Sequence, residues 1–496
     1  MKDSQLSHWS SQPGRHMLEG GIRTFLAEAL FPLTALITAA FLTRRLGPDG
    51  YGLLILAATL AAWIEWSLNS LFSRTTIKHV GAAKDWRPVG TASVNLQMAV
   101  GSAAMVGVWL LAVPISSLLH EPNLWSLLCL YAVNIPLFNL AQAHRNILIG
   151  LGSYGPCALA SAGRWVARLI LIVLLVEVGL SIHGAILGTI GASCVELTIA
   201  RRAVRPELFR RISLSEWPLW DYAVPLFLSA VSVSCYARLD LFVLKALGGT
   251  AEQAGFYGAA QNLALLPGLF GFALLPLLLS TLSRVLLRGG VALAKDLSFN
   301  AMRGSLGLLP VAAMVAGMSG EIIVFFFGAS FEEGAPVLAS LIFGAVGGVV
   351  MAVATTILIA IGKPRVTLIL TAPLVPLALA CHLIVIPRFG SIGAASVTTL
   401  LAIVGAAEAV FVVYHLWDLV PPAKTLWRSV AVAALVLGFT ISWPVSGMLT
   451  LVKLVVSSIV VVLAYFLLGE FSLEERALAW SLLKMRLLPA QDPTES

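Results

Sequence analysis

The sequence predicts an all-α polytopic membrane protein with about fourteen transmembrane helices: two six-helix lobes related by a parallel repeat, plus two C-terminal helices. Three observations predict it. The chain is 58% hydrophobic and only 11% charged, where a soluble domain carries about 25% charged residues. Apolar runs of about 20 residues, enough to cross a bilayer, recur along the whole length. Glycine landmarks in the first half return at a nearly constant spacing in the second.

The elements follow in order. Residues 1–21 are polar and mixed, and the first apolar run begins at Ile22. A cleavable signal would place a short apolar core earlier, before a small-residue cleavage site; this stretch therefore reads as a retained cytoplasmic tail. Spans are expected near 22–43, 51–73, 89–113, 124–149, 154–177, 182–200, 219–247, 256–283, 304–328, 336–361, 366–387, 392–416, 426–447 and 450–469. Residues 22–200 form a first lobe, 201–218 a basic cytoplasmic linker and 219–416 a second lobe. The last two spans occupy 426–469, and 470–496 is an amphipathic cytoplasmic tail suited to a membrane surface.

Positive charge orients the bundle, because Lys and Arg collect in cytoplasmic loops. With the N-terminus inside, 23 of the 32 Lys and Arg fall on the inner side. Five fall outside (Arg44, Arg45, Lys245, Arg388 and Lys453), and four lie within spans. The bias puts both termini in the cytoplasm. The net charge of +7 is thus a topology signal and implies no nucleic-acid partner. All five cysteines (Cys129, Cys157, Cys194, Cys235, Cys381) sit in apolar stretches without metal-ligand spacing and read as small packing residues.

The repeat rests on three landmarks. Gly52 of "GYG" matches Gly258 of "FYG", an offset of 206; Gly152 of "LIGLGSYG" matches Gly362 of "LIAIGKPR", an offset of 210. Gly184 of "SIHGAI" matches Gly393 of "SIGAAS", an offset of 209. Each unit holds six spans, an even number, so both enter the membrane the same way and are related by an axis along its normal.

Two such lobes, two extra helices, "LGPDGYG" after the first span and "RLDLFVLKALG" leading into "GFYG" resemble the polysaccharide-export flippases of the multidrug/oligosaccharidyl-lipid/polysaccharide superfamily. The nearest group is the Wzx-type flippases of O-antigen and exopolysaccharide repeat units, and the resemblance covers about residues 18 to 420. It implies a V-shaped pair of bundles in the bacterial inner membrane. Across it an undecaprenyl-diphosphate-linked oligosaccharide moves outward by alternating access, with membrane lipid and polymerase or export machinery as partners.

Charges inside the membrane are the candidate site, since each costs about 2.5–3.5 kcal/mol to insert and usually faces the bundle interior or a wet cavity. Arg164 and Arg168 in the fifth span stand one turn apart on one face. Arg238 and Asp240 in the seventh point to different sides, and Arg145 ends the fourth. Acids sit at Glu28, Glu65, Glu196 and Glu408. In the functional reading Arg145, Arg164, Arg168, Arg238 and Arg23 form a cationic cavity for a diphosphate, which Arg suits through bidentate contact. Arg44 and Arg45 stand at the outer mouth; Glu28, Glu65 and Asp240 serve ion coupling or structural pairing. The plainer reading makes Arg145 an inner-surface side chain, pairs Arg164 and Arg168 with Glu28 or Glu65, and treats Arg44 and Arg45 as loop charges. Glu196 and Glu408 read as structural.

No cofactor or metal is expected, and no G-x-x-x-x-G-K-[ST] loop for ATP appears in the sequence. An anion leaving a negative interior gains about 2.3 kcal/mol per charge per 100 mV, enough to matter for a doubly charged headgroup without a coupled ion, with proton coupling through Glu28 or Glu65 as the alternative. A multidrug exporter would want an acidic cavity, opposite to the arginines here. A lipid II-type peptidoglycan precursor flippase shares the architecture and stays open as an alternative. A membrane glycosyltransferase or polymerase would want large outer loops with paired acids, which this chain lacks; the protein reads as a non-enzyme.

Overall fold

The computed structural model describes residues 13–207 and 238–470. Residues 1–12, the linker beyond 207, the seventh span up to 237 and the tail beyond 470 lie outside the described residues, Arg210, Arg211 and Cys235 with them. The described residues are helical, with no strand among them. The helices are α1 (Pro13–Ala82), α2 (Trp86–Leu118), α3 (Leu124–Ala132), α4 (Asn134–Gly150), α5 (Tyr154–Leu175) and, after a π-helical turn at Val176–Leu180, α6 (Ser181–Ala203). Then come α7 (Leu239–Ala246), α8 (Ala251–Ala264), α9 (Leu266–Leu287), α10 (Val291–Leu306), α11 (Leu309–Gly317) and α12 (Ser319–Phe327). A 3₁₀ turn at Ala329–Gly334 leads to α13 (Ala335–Ala360), α14 (Pro364–Thr371), α15 (Leu374–Trp417), α16 (Ala423–Ser442) and α17 (Leu449–Leu467).

Among the described residues, ten stretches are long and apolar enough to cross a membrane. Three of them, Leu26–Ala82, Tyr154–Ala203 and Pro364–Trp417, run to 57, 50 and 54 residues, far more than one crossing needs. Each is interrupted by a glycine with non-helical backbone: Gly47 (φ 67°), Gly179 (φ 98°) and Gly390 (φ 55°). The chain folds back at these points. Glu28 and Glu65 would stand about 55 Å apart on one straight helix. Instead Glu28 meets Arg145 and Glu65 meets Asn134, two residues of the single helix α4. Gly47 permits this because it adopts a positive φ that a side chain disfavours.

Prolines divide other spans. Pro267 and Pro310 lie in the first turns of α9 and α11, and Pro373 caps α15, so the eighth, ninth and eleventh spans are each built of two helical pieces. The ninth departs from expectation. Its helical run begins at Val291 rather than 304, and Lys295 and Arg303, read as loop charges, lie on α10. There a buried stripe of Ala294, Ser298, Ala301, Met302 and Ser305 alternates with polar residues. The amphipathic pattern lowered the average hydropathy that marked the other spans.

Packing differs between the two ends of the bundle. Near the ends expected to face outward, buried residues from both halves, such as Leu54, Leu124, Ile172, Phe256, Phe331 and Leu338, belong to one continuous core. Toward the inner ends it divides. Val80, Leu140, Ile147, Cys157 and Ala200 form one cluster in the first half, while Leu282, Met302, Ile357, Leu370 and Val413 form another in the second. At the joined end the landmark Gly52 of α1 packs against α8, the helix that carries its copy Gly258. A Cβ on Gly52 would lie 1.8 Å from the Ala251 carbonyl oxygen, and one on Gly255 2.2 Å from that of Pro48, so α1 and α8 touch backbone to backbone. Polar contacts cross the same seam: Lys245 to Glu121 at 2.6 Å, Arg44 Nη2 to the Phe325 carbonyl at 2.6 Å, and Asn262 Nδ2 to Tyr51 Oη at 2.9 Å.

Candidate functional site

The intramembrane charges of the first half gather around α4. That helix carries Asn134, Asn139, Gln142, His144, Arg145 and Asn146 within thirteen residues, all but Arg145 fully buried. Such density of polar groups in a span survives only where neighbours satisfy them. Glu196 of α6 has no exposure at all. It receives Arg164 of α5 at 3.3 Å, Arg145 of α4 at 3.6 Å and the Gln142 amide at 3.2 Å. Arg145 also reaches Glu28 of α1 at 2.8 Å, and Glu28 accepts further hydrogen bonds from Ser161 (3.1 Å) and the Trp165 indole (3.4 Å). Glu65 makes no ion pair among the described residues; Asn134 donates to it at 2.7 Å.

Arg168 differs from its neighbours. It is half-buried, one turn beyond Arg164, within electrostatic reach of Tyr131, Glu65 and Tyr51 but bonded to none of them. Among the described residues its Nε is buried without a hydrogen-bond partner, as are those of Arg145 and Arg164. Aromatic rings complete the wall. The Arg164 guanidinium stands 4.5 Å from the Phe138 ring and 4.9 Å from that of Trp165. Phe31 packs on Trp165 and Trp66 on Phe138.

The arginines named from sequence are thus partly brought together. Arg145, Arg164 and Arg168 share one site with Glu28 and Glu65. Arg164 takes Glu196 as its partner rather than Glu28 or Glu65. Arg145 turns inward to two acids rather than out to the surface. Arg23 is exposed on α1, five positions before Glu28. Arg44 and Arg45 stay at the opposite end, Arg45 paired with Glu177 at 2.5 Å. Arg238 and Asp240 belong to a separate group in the second half. There Asp240 accepts from Tyr257 Oη at 2.6 Å, Thr398 at 3.2 Å and the Gln261 amide, while Arg238 donates to Gln261 at 3.3 Å.

Two features escaped the sequence reading. Glu196, taken as a structural acid near a helix end, is the centre of the charge network. The aromatic wall was invisible because Phe and Trp in an apolar span look like any packing residue; the polar density of "NIPLFNLAQAHRNILIG" was the signal available for α4. Among the described residues no group of three His, Cys, Asp or Glu is placed to hold a metal ion.

With this geometry in view, three comparisons bear on kinship. The polysaccharide biosynthesis protein family matches residues 17–285, more than half of the chain. No curated protein matches it by sequence. Among solved structures, the lipid II flippase MurJ in an inward closed conformation is similar at a TM-score of 0.73 and 16% identity, covering 90% of this chain and 98% of that one. An inward-facing multidrug resistance MATE family transporter of the MOP superfamily follows at 0.65 and 15%, covering 83% and 99%. A MOP superfamily transporter from Pyrococcus furiosus gives 0.57 and 15%, covering 82% and 96%. The chain therefore belongs to the polysaccharide biosynthesis protein family and has the polytopic fold of the multidrug/oligosaccharidyl-lipid/polysaccharide superfamily.

Proposed function

We propose that the protein is a flippase of the bacterial inner membrane, with both termini cytoplasmic, rather than an enzyme. It moves an undecaprenyl-diphosphate-linked oligosaccharide repeat unit from the cytoplasmic to the periplasmic leaflet for exopolysaccharide or O-antigen assembly. The observation that carries this reading is Arg168: a half-buried guanidinium in the membrane interior that, among the described residues, bonds to no acid although Glu65 is within electrostatic reach. A cation there without a bonded partner is costly unless something anionic visits it. A diphosphate meets that need, and a planar guanidinium takes two of its oxygens at once.

The rest of the chain serves that contact. Glu196 and Glu28 hold Arg145 and Arg164 on the same wall and keep the site from being a bare cluster of like charge. The two six-helix lobes, residues 22–200 and 219–416, act as rigid bodies. Their joined outer core and divided inner clusters correspond to the inward-open member of an alternating pair. Opening outward would break the Lys245–Glu121 bridge and the α1–α8 contact while the inner clusters close on each other. The membrane potential supplies drive, since a headgroup with two negative charges gains about 4.6 kcal/mol on crossing 100 mV. Arg23 at the inner mouth and Arg44 at the outer one attract the headgroup; Asp240 fixes the second lobe or couples an ion.

The test measures membrane protein level and surface polysaccharide together. Arg168→Ala is expected to leave the level near normal and abolish export; Arg168→Lys, which keeps the charge and loses the fork, restores part of it. Full export by Arg168→Ala at normal protein level would overturn the reading.

A further inference from the structure

The second half of the chain holds a buried acid beside a buried histidine, apart from the arginines of the first. Asp240 of α7 and His382 of α15 are each 2% exposed and lie within electrostatic reach of one another. Packing brings them side by side. α15 folds back at Gly390, so that a Cβ on Gly393 would lie 3.1 Å from the Val385 carbonyl oxygen, and α7 meets both limbs. Thr398 of the second limb donates to Asp240 at 3.2 Å. On the first limb, Cys381 and Val385 flank His382. They share one apolar cluster with Leu239, the residue before Asp240, and with Val397, the residue before Thr398.

Each member of the pair lacks what the other supplies. Among the described residues no cation bonds to the Asp240 carboxylate. Its donors are Tyr257 Oη, Thr398, the Gln261 amide and the Leu241 N–H, while Arg238 stops at Gln261 Oε1. Among the same residues Nδ1 of His382 is buried with no hydrogen-bond partner. A buried charge without a counter-charge and a buried ring nitrogen without a partner are both costly. A proton on the imidazole relieves both, because the charged ring donates from each nitrogen and offsets the carboxylate. A metal ion fits worse. Tyr257, Thr398 and Gln261 turn donors rather than lone pairs toward the carboxylate, and the Gln261 carbonyl oxygen already accepts from Arg238. The titratable and charged groups facing the pair are thus Tyr257 from α8 and, through Gln261, Arg238 at the start of α7.

We propose that Asp240 and His382 form a proton-binding site that governs the outer seam. The inference deepens the flippase reading above and rests on its movement of one lobe against the other. The link is α8. It supplies Tyr257 and Gln261 to Asp240, and the same helix makes the seam, through Gly255 against Pro48 and Asn262 to Tyr51 at 2.9 Å. With His382 neutral, α8 holds the carboxylate, as in this structure. A proton on His382 draws the carboxylate toward α15 in competition with Tyr257 and Gln261, and α8 loosens from the seam. The proton comes from water and returns to it, with no other bond made or broken. Acid on the outer side therefore favours outward opening.

The experiment places spin labels at Asp49→Cys and Glu252→Cys, exposed positions on α1 and α8 beside the seam, in the full chain with its five native cysteines replaced. Their separation is measured from about pH 8 to about pH 5, the range in which histidine ordinarily changes charge. A separated population should grow as pH falls, by at most about tenfold per pH unit for one linked proton. His382→Gln and Asp240→Asn should each flatten that dependence. His382→Gln, which keeps a polar side chain, decides the matter if the aspartate variant does not fold. A second measurement counts protons bound by the purified full chain over the same range, and the wild type should take up about one more than His382→Gln. An unchanged pH dependence in His382→Gln, separation that grows as pH rises, or equal proton uptake would overturn the site. Separation driven by sodium ions at constant pH, lost in Asp240→Asn but kept in His382→Gln, would overturn it in favour of a metal ion. Proton uptake as expected but no separation under any condition, saturating undecaprenyl diphosphate included, would overturn the moving lobes of the flippase reading and the control of the seam with them.

Discussion

Glu196 and Glu470 each bridge two arginines, in two regions of the molecule that use the motif differently. Glu470, just past α17, is saturated. Arg303 Nε reaches it at 2.7 Å, Arg428 at 3.0 Å and Thr425 Oγ1 at 2.6 Å, and Arg303 also donates to its backbone carbonyl. This ties α10, α16 and the end of α17 together, and Glu321 with Lys453, at 2.6 Å, does the same near the other end of α17. Glu196 sits in the membrane interior at longer range, 3.3 and 3.6 Å, and its surroundings leave three arginine Nε atoms without hydrogen bonds. A closed cluster holds helices in place. An incompletely satisfied one, with a further arginine beside it, is the arrangement a visiting anion can complete.

The largest expected effect comes from breaking the deep bridge. Glu196→Ala leaves Arg145 and Arg164 facing each other in a buried site, and removing one partner of a buried pair costs about 3–5 kcal/mol. Membrane level should fall sharply, with Glu196→Gln recovering part of it; a normal level in the alanine variant would show that the network is not structural. Glu470→Ala should cost less, about 1.5–3 kcal/mol for hydrogen bonds to a charged group. Melting temperature should drop while export per molecule stays unchanged. A fall in export per molecule would erase the contrast between the two regions.

The smallest effect is in pH. Burial alone would raise the Glu470 carboxyl, but hydrogen bonds from Thr425, Arg303 and Arg428 outweigh it and hold the group below its ordinary 4.5. A depressed folded value means the stabilisation is complete above the unfolded value of 4.5 and is lost as pH falls through the lower folded one. Melting temperature of the wild type should therefore decline more steeply below pH 4.5 than that of Glu470→Gln. Parallel curves would mean that the clasp carries no such linkage.

Much of this architecture was legible because hydrocarbon demands long apolar helices and the charge bias follows from insertion. The landmarks at Gly152 and Gly362 recur in structure as well, with φ of 70° and 78°. Where the landmark Gly52 packs was not legible: it lies against Ala251 and Gly255 of α8, the helix that carries its copy Gly258, and a repeat in sequence says nothing of mutual contact. In the site, the rarity of charge in a span exposed Arg145, Arg164 and Arg168. The partners did not show, because Glu28 lies 117 residues from Arg145 and only the folded bundle brings Glu196 between two arginines.

The account turns on Arg168 meeting a phosphate during transport, and reconstitution tests this most directly. The full chain would be placed in proteoliposomes carrying a fluorescent undecaprenyl-diphosphate-sugar, and arrival of the headgroup in the outer leaflet followed by dithionite quenching. Wild-type protein should accelerate the quenching well beyond empty vesicles, Arg168→Lys less so, and Arg168→Ala should match empty vesicles at equal protein content. Quenching by Arg168→Ala at the wild-type rate would contradict the account.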